Sequence, residues 1–312
     1  MNDRGHSLTL PERVVFGVAN LERGVVPALA WGVNEILPRL MHLAADERFQ
    51  VLRGIPYKLA DEQPIRLDVI RPAGPGPFPV VVGIHGGAWM IGRKENLRHA
   101  GTWFAKHGFL TVLINYRLAP AHRWPAQAED VRDALIWVRR NAEAFGGRPD
   151  RIGVFGDSAG GHLSAWGAAV TARAEDPELP TIAAAAHWYG VFDFEKFSRV
   201  PWHRTPQILE ALFGDDRSRW REASPRYHLD DPGRPLPPTM LFAAGGDPLW
   251  SQSLMYAREL RQRGVEVELK KYKRNIHGFL NLPMSPECRA SLKHSARWFD
   301  RWLRDDQGAQ AA

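Results

Sequence analysis

The stretch Arg151-Ile152-Gly153-Val154-Phe155-Gly156-Asp157-Ser158-Ala159-Gly160-Gly161 decides how the rest of the chain is read. Its first five residues have strand character, and Gly156 to Gly160 form a G-x-S-x-G turn. Ala159 to Ala172 continues as a run of helix character, in which Gly160, Gly161, Ala165, Gly167 and Ala168 permit close packing on a sheet. Small residues on both sides of Ser158 let the chain turn sharply from strand to helix with the serine at the apex. A glycine-flanked serine alone is more often a simple turn or helix cap. The strand before it and the helix after it are the context that a nucleophile at such a turn requires.

Working outward, strand-like and helix-like runs alternate from about residue 50. That alternation predicts a mostly parallel sheet of about eight strands with helices on both faces. Val51 to Tyr57 and Ile65 to Arg71 read as an opening antiparallel pair, and the loop 72–77 is rich in proline and glycine. Val80-Val81-Val82-Gly83-Ile84 is nearly continuous in apolar character, as expected of a strand buried on both faces. Phe109 to Asn115, Ile182 to Trp188, Thr239 to Ala244 and Val265 to Tyr272 read as further strands. Helices are expected over 95–107, 125–145, 251–263 and 286–304. Residues 1–50 read as amphipathic helices, and 191–236 is a long insertion rich in aromatics, prolines and charges. An insertion of that length usually carries structure and function. The expected organisation is therefore an N-terminal helical cap segment over 1–50, a core over 51–190 and 237–312, and an inserted cap segment over 191–236.

At 312 residues, 44% hydrophobic and 24% charged, the composition is that of an ordinary soluble globular chain. The single cysteine, Cys288, excludes an intramolecular disulfide and a cysteine-based metal site, so cytoplasm is the default expectation. Val14 to Leu21 is short, runs into Glu22 and Arg23 and lacks a clean small-residue cleavage site, so no signal segment is expected. Val25 to Leu43 is interrupted by Pro27, Asn34, Glu35, Pro38 and Arg39, which argues against stable membrane insertion. The formal net charge is +6, yet basic residues are dispersed among acids. The one dense group, Lys270-Lys271-Tyr272-Lys273-Arg274, lies at an apparent strand edge, so no nucleic-acid partner is expected.

Directly after the buried strand ending at Ile84 comes His85-Gly86-Gly87-Ala88-Trp89. Consecutive glycines bring backbone N–H groups close to a substrate, where they can stabilise a developing oxyanion, each donor contributing about 3 kcal/mol. Gly86, Gly87 and Ala159, the residue after the nucleophile, are the expected oxyanion-hole donors. His85 is expected to brace this loop by hydrogen bonding.

A serine nucleophile needs a base and an acid that orients the base, in the chain order nucleophile, acid, histidine. Asp247, in the loop Gly245-Gly246-Asp247-Pro248-Leu249 after a strand, fits the acid. His277, in Asn275-Ile276-His277-Gly278-Phe279 after the last strand, fits the base. The other histidines do not meet both conditions of order and position: His162 should point away from the hydroxyl, His187 lies within a strand, and His203 and His228 fall in the insertion. Asp130 and Asp157 read as structural hydrogen-bonding acids, and Asp193 as the start of the insertion. Trp89, Trp188, Trp202, Phe213, Phe16 and Trp31 are candidate substrate-pocket residues.

Together, His85-Gly86-Gly87-Ala88-Trp89, Tyr116-Arg117-Leu118-Ala119-Pro120, Gly156-Asp157-Ser158-Ala159-Gly160-Gly161, Asp247-Pro248-Leu249 and His277-Gly278-Phe279 resemble the hormone-sensitive-lipase family of bacterial carboxylesterases within the α/β-hydrolase superfamily. The likeness extends from about residue 50 to 304. It implies a cofactor-free serine hydrolase acting on short- to medium-chain acyl esters, with an N-terminal helical cap forming part of the pocket. Ala88 departs from the family's usual third glycine. The small-molecule ester and its stereochemistry stay open, as does the oligomeric state, a homodimer included. The same triad could serve an amide or arylformamide hydrolase, or a lipase acting on aggregated lipid. From another class, a non-catalytic small-molecule receptor on this fold would have no need of a nucleophile–base pair.

Overall fold

The computed structural model describes residues 47–173, 176–230 and 233–304. The apolar run 80–84 becomes β3 (Phe78–Ile84), whose last six residues are all buried. It is flanked in parallel by β4 (Leu110–Ile114) and β5 (Gly147–Asp157), so both of its edges and both of its faces are covered. Around these three, β1 (Phe49–Ala60), β2 (Gln63–Pro72), β6 (Ile182–Trp188), β7 (Thr239–Ala244) and β8 (Val267–Tyr272) complete an eight-stranded sheet in the order β1-β2-β4-β3-β5-β6-β7-β8. The β1–β2 hairpin is antiparallel, as is β2 against β4, and every other pair is parallel.

Alternate residues of the central strands feed two separate cores. Val80, Val82, Ile84, Ile152 and Val154 face one way and pack with α2 (Ala126–Asn141) and α3 (Ala159–Arg173) through Val131, Leu135 and Leu163. Val81, Leu113, Phe155 and Trp188 face the other way and meet α1 (Arg98–Lys106) and α8 (Pro286–Leu303) through Phe104 and Phe299. This period-2 split follows from the pleat. The small residues of α3 act as expected. A Cβ on Gly160 would stand 1.9 Å from the Ile84 carbonyl oxygen, so the helix can lie this close to β3 only with glycine there.

The insertion between β6 and β7 forms α4 (Phe194–Phe197), α5 (Thr205–Phe213), α6 (Arg219–Ala223) and a 3-10 turn, Pro225–His228. Asp193 opens it, its side chain accepting the Lys196 N–H at 3.0 Å. The remaining helix, α7 (Trp250–Gln262), follows β7. Two expected helices are shorter than their sequence patterns. Residues 94–97 and 142–145 are 3-10 turns flanking α1 and α2. Residues 1–46 lie outside the described residues, and with them nearly all of the expected N-terminal cap segment. No described helix is long and apolar enough to cross a membrane.

Candidate active site

The loops after β3, β5, β7 and β8 all leave the carboxyl ends of parallel strands, the side on which open α/β sheets gather their sites. Ser158 follows β5 directly, in a left-handed conformation with φ of 53°. Such a backbone is strained for a residue with a Cβ, and the surroundings fix it. The Ser158 N–H donates to the Trp188 carbonyl at 2.9 Å, and the Ser158 carbonyl accepts from the His162 N–H at 2.9 Å. The glycine before the serine is equally constrained, since a Cβ on Gly156 would meet the Gly160 carbonyl oxygen at 2.3 Å.

The structure brings Ser158, His277 and Asp247 into one chain of hydrogen bonds. Ser158 Oγ lies 2.8 Å from His277 Nε2, and His277 Nδ1 lies 2.8 Å from Asp247 Oδ2. The second carboxylate oxygen of Asp247 accepts the Leu249 N–H at 2.8 Å, which fixes the carboxylate plane. Burial pulls the His277 pKa down, but the charge of Asp247 and its hydrogen bond outweigh burial, with a further upward push from Asp157. The net shift is upward. This chain of groups can accept a proton from the serine hydroxyl and stabilise the resulting imidazolium.

The loops carrying the acid and the base are joined by backbone bonds. The Gly245 N–H donates to the Tyr272 carbonyl at 3.0 Å and the Gly246 N–H to the Asn275 carbonyl at 2.8 Å. Beyond His277, the Leu280 N–H donates to the Tyr189 hydroxyl at 2.9 Å, and the Leu280 carbonyl lies 2.8 Å from His99 Nε2. The Tyr189 ring also packs on the His277 ring, with centroids 4.8 Å apart. Tyr189 and Asn281 are two parts of the site that sequence reading missed. Tyr189 does carry a signal, since it follows β6 at the level of the serine turn.

One oxyanion-hole expectation is corrected. The Gly86 N–H is not free: it donates to Asp157 Oδ1 at 2.9 Å. Gly87 and Ala88 come next, with φ of 126° and 51°, and among the described residues neither N–H has a hydrogen-bond acceptor. The Gly87 carbonyl closes the loop by accepting from the Met90 and Ile91 N–H groups, both at 3.0 Å. Ala159 opens α3, where an N–H has no partner within the helix. His85 sits under this loop. Its ring stacks on Tyr116 at 4.3 Å, and Nδ1 lies 2.7 Å from the Gly86 carbonyl oxygen.

The candidate pocket aromatics divide. Trp202, from the insertion, lies with its ring centroid 6.2 Å from that of His277. Trp188 is fully buried on the α8 side of the sheet, stacked on Phe242 at 4.4 Å, which corrects its assignment to the pocket. The rings of Trp89 and Phe213 are also spent on internal packing. The Trp89 indole N–H donates to His162 Nδ1 at 3.0 Å, and Phe213 packs edge-on against Phe194 at 4.9 Å. Phe16 and Trp31 lie outside the described residues. His162 itself points into the core, its Nε2 lying 2.7 Å from the Ala223 carbonyl oxygen.

A family model described as the alpha/beta hydrolase fold matches residues 81–281. The chain is 33% identical over 236 residues to the carboxylic ester hydrolase LipN of Mycobacterium tuberculosis, a span of 68% of this chain and 60% of LipN. It is 32% identical over 282 residues to the esterase LipC of the same organism, covering 84% of this chain and 66% of LipC. The chain thus spans less than two thirds of the length of either relative. Among solved structures, an esterase of Pyrobaculum calidifontis superposes with a TM-score of 0.75 at 26% identity, covering 95% of this chain and 99% of that one.

Proposed function

The chain belongs to the α/β-hydrolase family, and from that premise we propose that it is a serine carboxylic ester hydrolase, forming an acyl-enzyme on Ser158 from short- to medium-chain acyl esters. The observation that carries this reading is the unbroken line from Ser158 Oγ to His277 to Asp247, each gap 2.8 Å. A hydroxyl becomes an effective nucleophile only when a base stands at hydrogen-bond distance as the new bond forms.

In the first step Ser158 Oγ bonds to the ester carbonyl carbon while its proton passes to His277 Nε2. The carbonyl π pair moves onto oxygen, where the N–H groups of Gly87, Ala88 and Ala159 stabilise it. This set replaces Gly86, whose N–H is committed to Asp157. Collapse of the tetrahedral intermediate expels the alkoxide, which takes the proton from His277. Water then repeats the sequence, with His277 as base, and releases the carboxylic acid. Asp247 stays ionised throughout and holds the imidazole in the tautomer whose Nε2 is free to accept. Two named mycobacterial relatives are a carboxylic ester hydrolase and an esterase, which supports ester over amide as the substrate bond.

The insertion 191–236 acts in this reading as a cap. It places Trp202 beside the base and anchors its other end on the core through the Ala223 carbonyl and His162. The test of the function is turnover of p-nitrophenyl acetate and butyrate set beside their amide analogues. Hydrolysis of the esters with little or no amide turnover supports the reading. Faster amide than ester turnover would replace it with an amidase.

A further inference from the structure

Asp157 is a buried carboxylate that the acyl-transfer steps do not use. It immediately precedes the nucleophile and is 2% exposed. Oδ1 accepts the Gly86 N–H at 2.9 Å and Oδ2 accepts from Asn281 Nδ2 at 2.7 Å. Gly86 belongs to the loop after β3 and Asn281 to the 3-10 turn Phe279–Asn281 just beyond His277. One side chain on β5 therefore ties together the two loops that flank the serine. The approach is tight on the first side, where a Cβ on Gly86 would stand 2.7 Å from Asp157 Oδ2. No charge-neutralising cation contacts this carboxylate among the described residues, so these hydrogen bonds offset much of the cost of burying it.

Resting on the esterase reading above, we propose that Asp157 and Asn281 form a positioning clamp that sets the oxyanion loop and the histidine loop in register with Ser158. Neither residue touches substrate; both act through the groups they hold. Gly86 is the residue before the proposed donors Gly87 and Ala88, so its tether fixes where their N–H groups lie. Asn281 fixes the far end of the turn that begins at His277, the near end being held by the Tyr189 ring and by the Tyr189 hydroxyl on the Leu280 N–H. A displacement of about 1 Å in such a constellation costs on the order of a hundredfold in rate.

The clamp also places a second negative charge behind the base. His277 is faced by Asp247 from the loop after β7, by Asp157 from β5, by Tyr189 from the loop after β6 and by uncharged Trp202 from the insertion. Burial, together with the Asp157 charge, holds the Tyr189 and Tyr116 phenols well above their ordinary range, so both stay neutral and Asp157 is the second anion.

The decisive experiment exchanges the two side chains. In Asp157→Asn the new amide can still accept from Gly86, and its Nδ2 can donate to Asn281 once the Asn281 amide turns to present Oδ1, which has no partner in the wild type, so this variant keeps both bonds and removes only the charge. In Asn281→Asp two carboxylates meet. In the double variant the amide placed on β5 accepts from Gly86 and donates to the carboxylate placed on the 3-10 turn, which provides both bonds and moves the charge from β5 to that turn. Asn281→Asp is expected to lose about ten- to a hundredfold in kcat for p-nitrophenyl butyrate with KM changed by less than about threefold, whereas Asp157→Asn is expected to lose less than about threefold in kcat while its acid limb moves to lower pH. The double variant is expected to recover most of the Asn281→Asp loss, with the acid limb of its kcat/KM profile displaced from that of the wild type. Asn281→Ala, which removes one bond and leaves Gly86 held, provides a fourth comparison should a variant at 157 fail to fold; its expected loss in kcat is of the same size. Folding of each is checked by thermal unfolding. A folded double variant no better than Asn281→Asp, or a folded Asn281→Ala with wild-type kcat, overturns the clamp while leaving the esterase reading intact. A wild-type chain with no ester turnover overturns that reading and the clamp with it.

Discussion

Nε2 of His277 stands 2.8 Å from Oγ of Ser158, although 119 positions separate them in sequence. The sheet order explains the meeting: β5 and β8 are parallel, separated only by β6 and β7, and both residues leave the same edge of the sheet. The pH dependence of activity follows from the surroundings of that imidazole.

Burial lowers the His277 pKa, but Asp247 and Asp157 raise it further, so the group holds its proton to a pH above its ordinary value of 6.5. The base must be neutral to accept from Ser158. The acid limb of kcat/KM therefore has its midpoint above 6.5, with activity lost as pH falls through it. Asp247→Asn removes the largest upward influence and leaves burial in place. Its midpoint should move to lower pH while kcat drops by about ten-thousand-fold, read from pH–rate profiles of both proteins.

Three other histidines work in the opposite direction. Burial depresses His85 to about 4 and both His162 and His187 to about 3. Between the ordinary histidine value and these lowered ones the unfolded chain binds protons that the native chain refuses, so stability is full above the ordinary value and falls as pH drops through this window. Each group contributes a slope of about 1.4 kcal/mol per pH unit. His162→Asn should lower stability overall, yet reduce that slope by about one group's share. Urea unfolding at several values between about pH 6 and pH 4 measures it.

Glycines in α3 should differ sharply in tolerance. Gly160→Ala sets a Cβ against the Ile84 carbonyl oxygen, a backbone atom that cannot step aside, and should cost about 3 kcal/mol or more. In Gly167→Ala the new Cβ lies 3.3 Å from a Val131 methyl, and the helix gains a better former. That variant should fall within about 1 kcal/mol of wild type in thermal unfolding.

The two tryptophans Trp188 and Trp202 should separate stability from selectivity. Trp188→Ala empties a core site between Phe155 and Phe242 and should cost about 3–5 kcal/mol. Trp202→Ala leaves the core intact. It should change the relative KM of esters with large and small alcohol groups while the melting temperature moves little.

Much of this architecture is legible in the sequence because buried parallel strands must be apolar on both faces. Val80 to Ile84 is short, mostly β-branched and apolar, as such a strand must be, and β6 and β7 begin and end where the apolar runs do. The loop positions of Ser158, Asp247 and His277 follow from chain order and strand ends. What sequence could not show was direction. Gly86 and Gly87 are chemically alike, and only the placement of Asp157 reveals which N–H is already committed. Residue type and position do not reveal which face of the sheet Trp188 takes, and the pleat turns its ring to the α8 face. Asn281 carries no signal of its own, since its role depends on a carboxylate 124 positions away.

The most direct test of the central proposal is to treat the protein with a fluorophosphonate probe and locate the adduct by peptide mass spectrometry, alongside ester turnover by Ser158→Ala. The expected result is a single adduct on Ser158, and a folded Ser158→Ala chain that neither labels nor hydrolyses p-nitrophenyl butyrate. An adduct on another residue, or undiminished turnover in the folded variant, would contradict it.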